Sequence, residues 1–197
     1  MELLRNRGFA LLVAVVVAVS ALIIGTNRTS DRYASKIEES FYSGVYINAE
    51  NYTQRSIDSH LNNCADAALG LATMMGAYPE LADKADELLT ARRELLAAES
   101  IKQKGLAGKL TRDRFSQLLD AATSAGLSKR DVDAATEFFS TFSGALTAIS
   151  GSRYNDKVNE YFDGQSLIAR TIGKLANAKQ PEAFIEIPFF EHPAWPW

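Results

Sequence analysis

Residues 9–24 read FALLVAVVVAVSALII and hold no charged side chain. Gly8 and Gly25 bracket the run, and Arg5 and Arg7 precede it. A bilayer-spanning helix needs about 20 apolar residues and at least about 17. With its flanking glycines the run reaches that range. A soluble helix is apolar all round when it lies at the centre of a core, so two other readings stay open beside a retained anchor. One is such a core helix. The other is a leader cleaved at Ala18-Val19-Ser20. The run continues past that site through Leu22, Ile23 and Ile24, which favours an anchor over residues 1–29 that crosses the membrane through residues 9–24. Arg28, Arg32 and Lys36 behind the run nearly balance Arg5, Arg7 and the terminal amine ahead of it. The short basic stretch in front favours a bulk domain on the extracytoplasmic side.

From residue 30 the pattern becomes amphipathic. Ile37, Phe41, Val45, Asn48, Tyr52, Ile57, Leu61, Cys64, Ala68 and Leu71 follow one another at mostly helical steps. They predict one long helix, capped by Ser30 or Asp31 and ending near Ala77, because Tyr78 precedes Pro79. Pro79 suits the first turn of a second helix, whose stripe is Leu81, Ala85, Leu88, Leu89, Arg92, Leu95 and Leu96. GLAGKLT at 105–111 weakens the helical pattern, and Phe115, Leu118, Leu119 and Ala122 resume it. Ala125-Gly126-Leu127-Ser128 reads as a stop followed by a new cap, with Asp131 in the next first turn. A third long helix is expected from about 128 to 163, with Phe138, Phe139, Phe142, Leu146 and Ile149 facing inward and Gly164 ending it. Leu167, Ile168, Ile172 and Leu175 mark a short last helix. The expected fold is all-α: an N-terminal transmembrane helix, then an antiparallel bundle of about four helices over 30–181. Residues 182–197, in a stretch with four prolines across 181–197 and many aromatics, form an extended aromatic tail packing on the bundle.

Composition removes several classes of function. The 197-residue chain carries a net charge of −3, without the basic stripe that nucleic acid demands. A single cysteine, Cys64, cannot close an internal disulfide, and with His60 and His192 far apart no zinc pattern can be written. No Glu-x-x-His motif of a di-iron bundle is present. Asp83, Asp86 and Glu87 read as a solvated face, and Met74-Met75 as core filling. No catalytic motif appears, so the expected protein is not an enzyme and uses no cofactor or metal.

The remaining polar signal is RYNDKVNEYF at 153–162. On a helix Tyr154, Val158 and Tyr161 share one face, and Asn155, Asn159 and Phe162 the adjacent one. Buried tyrosine hydroxyls and asparagine amides need partners, so these residues suit a seam between helices or a binding site. This stretch resembles the Tyr-Asn, Val, Tyr-Asn motif of the LemA family of bacterial membrane proteins. IDSHLNNCADAALGL at 57–71 resembles that family's first-helix pattern at Ile57, Asp58, Leu61, Asp66 and Leu71, and Ala91-Arg92 resembles an Ala-Arg pair in its second helix. Asn62-Asn63 stand where the family carries basic residues, and Phe162 where it carries a second asparagine. The resemblance implies a four-helix bundle behind a single-pass anchor in a bacterial cell membrane, with an interaction or scaffolding role and no defined reaction. It makes Asp58, Leu61, Asp66, Arg92, Tyr154, Asn155, Val158 and Tyr161 candidate residues, to which the helix-face reading adds Asn159, and a protein partner or a homo-oligomer the expected assembly. The alternative is a sensor-like bundle that binds a small molecule between helices near Tyr154, Asn155 and Asn159.

Overall fold

A computed structural model of the chain describes residues 7–47, 51–165, 170–171, 173–174 and 178–190. It is mainly helical. Helix α1, Arg7–Ser43, carries the apolar run. Its segment Leu11–Ser43 reaches a mean hydropathy of 2.0 with none of that apolar window buried. One N-terminal helix is therefore long and apolar enough to cross a membrane. No break appears at Ser30 or Asp31, so neither is a cap.

The single helix expected over 30–77 is interrupted. α1 stops at Ser43 because Gly44 takes φ +94°, a conformation that side chains disfavour. A Cβ at Gly44 would also run into the carbonyl oxygen of Gln54. The chain then forms a small hairpin, β1 (Val45–Ile47) antiparallel to β2 (Tyr52–Gln54), with Val45 opposite Gln54 and Ile47 opposite Tyr52. Val, Ile, Tyr and Thr suit a strand, and Asn51 tolerates its φ of 47°. Helical spacing concealed this hairpin because Phe41, Val45 and Ile57 are all buried whichever element carries them.

α2, Ile57–Met75, starts at Ser56, whose Oγ accepts the Ser59 N–H at 3.0 Å. Pro79 does not open the next helix. It lies in a turn closed by Tyr78 N–H to Met75 and Leu81 N–H to Tyr78 carbonyls, and α3 spans Ala82–Ala97. α4, Ile101–Ala122, begins with a reciprocal Ser100–Gln103 capping box and runs unbroken through 105–111. Gly126, at φ +61°, ends the following turn. Ser128 then caps α5, Lys129–Ser150, by accepting the Asp131 N–H. The helix expected over 128–163 is broken at 151–153, and α6 covers Tyr154–Asp163. Asn48, Leu167, Ile168, Ile172, Leu175, His192, Trp195 and Trp197 fall outside the described residues.

The chain divides into two compact units. The larger comprises Glu39–Asn155 and Glu182–Trp197. In it α2 packs against α3, α4 and α5, and α3 against α4. Leu61, Leu71, Met75, Leu88, Leu95, Leu118 and Leu146 fill the core, and the Phe115 and Phe142 rings stack 4.3 Å apart. Each such side chain stabilises the fold by about 1.5–3 kcal/mol of burial. The smaller unit comprises Met1–Glu38 and Asp156–Pro181. There Tyr33 stacks on Tyr161 at 5.8 Å, and the Lys179 N–H donates to Asp31 at 2.7 Å while its ammonium pairs with Glu38 at 2.5 Å.

Candidate functional site

Gly151 halts α5, and Gln54 holds the break. Its amide nitrogen, Nε2, donates to the Gly151 carbonyl at 3.0 Å, and its Oε1 accepts the Arg153 N–H at 3.4 Å. The next two residues open α6 and meet an extended segment, residues 182–187, from much later in the chain. The Tyr154 hydroxyl donates to the Glu182 carbonyl at 2.6 Å. Asn155 Nδ2 donates to the Phe184 carbonyl at 3.1 Å, and Asn155 Oδ1 accepts the Phe184 N–H at 3.0 Å. One side-chain amide thus serves both backbone groups of a single residue, as a neighbouring strand would. Such pairing is needed because a buried backbone group without a partner is costly. The Phe184 ring is buried beside Phe41, centroids 5.6 Å apart, and Tyr154 meets Phe41 edge-on at 5.5 Å.

Helix α4 lines the other side. The Lys102 N–H, in the first turn of α4, donates to the Glu182 carboxylate at 3.0 Å, where the helix end favours negative charge. Gly105 and Gly108 let the segment approach closely: a Cβ at Gly105 would lie 2.9 Å from the Ile185 carbonyl oxygen, and one at Gly108 would lie 2.5 Å from Ile187 Cδ1. Arg112 donates to the Phe189 carbonyl and lies 5.7 Å over the Phe190 ring. That ring packs on Phe139 at 5.1 Å and on Phe142 at 5.7 Å. Residues 182–190 are therefore held by backbone reading at one end and by aromatic packing at the other.

The other candidate residues do not join this cluster. Asp58 pairs with Lys104 at 2.7 Å, and Leu61 is core. Arg92 Nε donates to the Ala65 carbonyl at 2.9 Å, with exposed Asp66 at 4.0 Å. These four tie α2 to α3 and α4. Val158 and Tyr161 are buried in the smaller unit, where the Tyr161 hydroxyl and Ser30 Oγ lie 3.2 Å apart, and Asn159 is exposed. Tyr154, Asn155 and Asn159 thus do not converge on one point, and the first two spend their polar atoms on residues 182–184. Lys102, Gly105, Gly108 and Arg112 were not candidates from sequence. The pair of glycines three apart on an otherwise amphipathic helix was the available signal.

Elsewhere the electrostatics are structural. Burial pushes the Cys64 thiol up to about 12. Burial and the Arg55 cation lower the His60 pKa. The Tyr78 hydroxyl donates to Asp131, which also accepts from Ser128 Oγ at 2.7 Å. That first bond raises the tyrosine pKa and lowers the aspartate pKa. Among the described residues no three His, Cys, Asp or Glu side chains are grouped as a metal site. The fold and groove define a class, a mainly helical protein with one membrane-length helix and a captured extended segment. No family model matches the chain, and neither the curated proteins nor the solved structures compared with it give a match.

Proposed function

We propose that the chain is a single-pass membrane protein, with an antiparallel helical bundle that serves in interaction or scaffolding rather than catalysis. The carrying observation is the Tyr154–Asn155 clamp on residues 182–184. A side-chain amide that pairs with both backbone groups of an extended residue is a means of recognising a peptide whatever its side chains, with flanking pockets adding selectivity. In this reading the groove between the start of α6 and α4 is a polypeptide receptor, occupied in cis by the chain's own segment. A second copy, which carries the same segment, is the first candidate to enter it in trans, and another protein with an extended apolar stretch is the second. The apolar α1 segment supports the membrane part of the reading. The motifs around Asp58 and Tyr154 support a LemA-like arrangement in a bacterial cell membrane, and Arg5 and Arg7 ahead of the anchor support an extracytoplasmic bundle.

The test is crosslinking of the full-length protein in its native membrane, followed by mass spectrometry. The proposal expects intermolecular links from residues 182–190 to α4 or to the start of α6, in a second copy or in one defined partner. A protein that stays monomeric and unlinked, while a control complex in the same membrane is captured, overturns it.

A further inference from the structure

The smaller unit contains a cavity of about 940 Å³ beside α1. Its floor is Ala18, Ala21, Leu22 and Gly25, on the turns that close the apolar run. Its rim holds Thr29, Ser30, Tyr33, Glu160 and Tyr161. Small side chains give the floor its depth. A Cβ at Gly25 would meet nothing within 4 Å among the described residues. Ala18, Ala21, Leu22 and Gly25 are all exposed along this open groove, and water is a poor occupant of an apolar floor that offers it no polar partners.

Position and charge indicate what does fill it. If residues 9–24 cross the bilayer, the floor lies in the hydrocarbon and the rim at headgroup level, where tyrosines are favoured. From Ala18 to Tyr33 the helix rises about 22 Å at 1.5 Å per residue, the reach of a fatty acyl chain with its headgroup. The rim presents the Glu160 carboxylate and the stacked Tyr33 and Tyr161 rings, 5.8 Å apart and 19° from parallel. Among the described residues that line it there is no cation. A carboxylate beside aromatic rings attracts an ammonium group. Arg28 and Arg32, exposed on the same two turns of α1, suit a phosphate.

We infer that this groove seats one phospholipid with an ammonium headgroup, its acyl chain along Ala18–Gly25 and its ammonium at Glu160 beside the exposed Tyr33 ring. The inference rests on the membrane reading of residues 9–24. A second copy's anchor, packing on the small residues Ala18, Ala21 and Gly25, is the competing occupant.

The experiment is native mass spectrometry of the full-length protein in detergent, with phosphatidylethanolamine or phosphatidylglycerol added at equal concentration. One retained phosphatidylethanolamine is expected, preferred over phosphatidylglycerol by about twofold to fivefold, the range that one exposed cation–aromatic contact of about 0.5–1 kcal/mol supplies. Gly25→Leu should lose the adduct without loss of helix, since its side chain enters open space. Glu160→Gln should keep a lipid and weaken the preference, and Tyr33→Leu should weaken it as well. Equal binding of the two lipids by the unaltered protein overturns the headgroup assignment. An undiminished adduct in Gly25→Leu overturns the groove. A lipid-free dimer that Gly25→Leu dissociates assigns the floor to a second anchor instead. Recovery of the full-length protein in the soluble fraction before any detergent is added refutes the membrane reading itself, and this inference with it.

Discussion

Asn155→Ala isolates the clamp. The substitution removes two hydrogen bonds to Phe184, at 3.1 and 3.0 Å, and fills no space that the amide did not occupy. Each bond contributes about 0.5–1.5 kcal/mol net, and the half-buried Phe184 N–H and carbonyl lose their partners. The sum is about 2 kcal/mol of docking free energy for residues 182–187. At about 1.4 kcal/mol per factor of ten, the segment should open about 30 times more often. Amide hydrogen exchange reads this directly, because the Phe184 N–H is protected by Asn155 itself. Its exchange should quicken about 30-fold, while amides in α4 around Phe115 and Leu118, held by helix bonds, keep their rates. Asn155→Asp should cost at least as much, since it puts a carboxylate where the Phe184 carbonyl needs a donor. Tyr154→Phe deletes one bond, to Glu182 at 2.6 Å, and should quicken exchange about fivefold for about 1 kcal/mol. If Phe184 exchanges in Asn155→Ala within twofold of the unaltered protein, the amide does not hold the segment and the receptor reading falls with it.

Gly105→Ala sets two effects of opposite sign against each other. Helix propensity alone would stabilise α4 by about 1 kcal/mol, whereas the new Cβ lies 2.9 Å from the Ile185 carbonyl oxygen and overpacking costs about 1–3 kcal/mol. Thermal unfolding should show a net loss with faster exchange across 184–187, and a raised midpoint would refute the close approach. Cys64, with its thiol pushed up to about 12, should hold about one part in 10⁴ as thiolate at pH 8. Its maleimide labelling should therefore be about 1,000-fold slower in the folded than in the urea-unfolded chain, and comparable rates would contradict its burial. The Tyr78–Asp131 bond acts at both ends of the pH scale. The lowered aspartate pKa contributes stability above its ordinary 3.8 that is lost as pH falls through the folded value. The raised tyrosine pKa contributes stability below its ordinary 10.0 that is lost as pH rises through the folded value. Tyr78→Phe should flatten the alkaline limb of the midpoint-against-pH curve and shrink the acid limb, which Ser128 also supports. An unchanged alkaline limb would assign that loss to other groups.

Local rules account for the elements that sequence reading recovered. Ser128 followed by Asp131 caps α5 as its spacing predicts, because a cap uses groups three residues apart. Leu61, Leu71, Leu88 and Leu95 fall on buried stripes for the same reason. The departures share a different cause. A step of three to five between apolar residues cannot separate one helix from a helix, a hairpin and another helix when Phe41, Val45 and Ile57 are buried in all three elements, although Tyr52, on the same spacing, is exposed in the hairpin. The decisive residue was Gly44, whose φ depends on where Gln54 returns. Gly151 acts likewise: a glycine costs a helix about 1 kcal/mol, too little by itself to break one, and the break is held by the Gln54 amide almost a hundred residues earlier in the chain.

The groove was half legible. That Tyr154 and Asn155 needed polar partners followed from burial alone, yet the pattern pointed to a neighbouring helix, as buried amides do in coiled coils. The partner is instead an extended backbone about thirty residues on. Gly105 and Gly108 carry the complementary information, since in isolation they subtract helix stability and become intelligible once Ile185 and Ile187 lie against them. Neither half specifies the site alone: an amide needs an unpaired backbone to read, and a flat helix face needs a chain without its own hydrogen-bond ladder. Residues 182–190, which adopt neither helix nor strand, satisfy both needs at once. Pro188 removes a backbone donor from that stretch and Pro181 another just before it, which disfavours a helix running through 188, and the segment takes hydrogen bonds from side chains, as it does from Asn155.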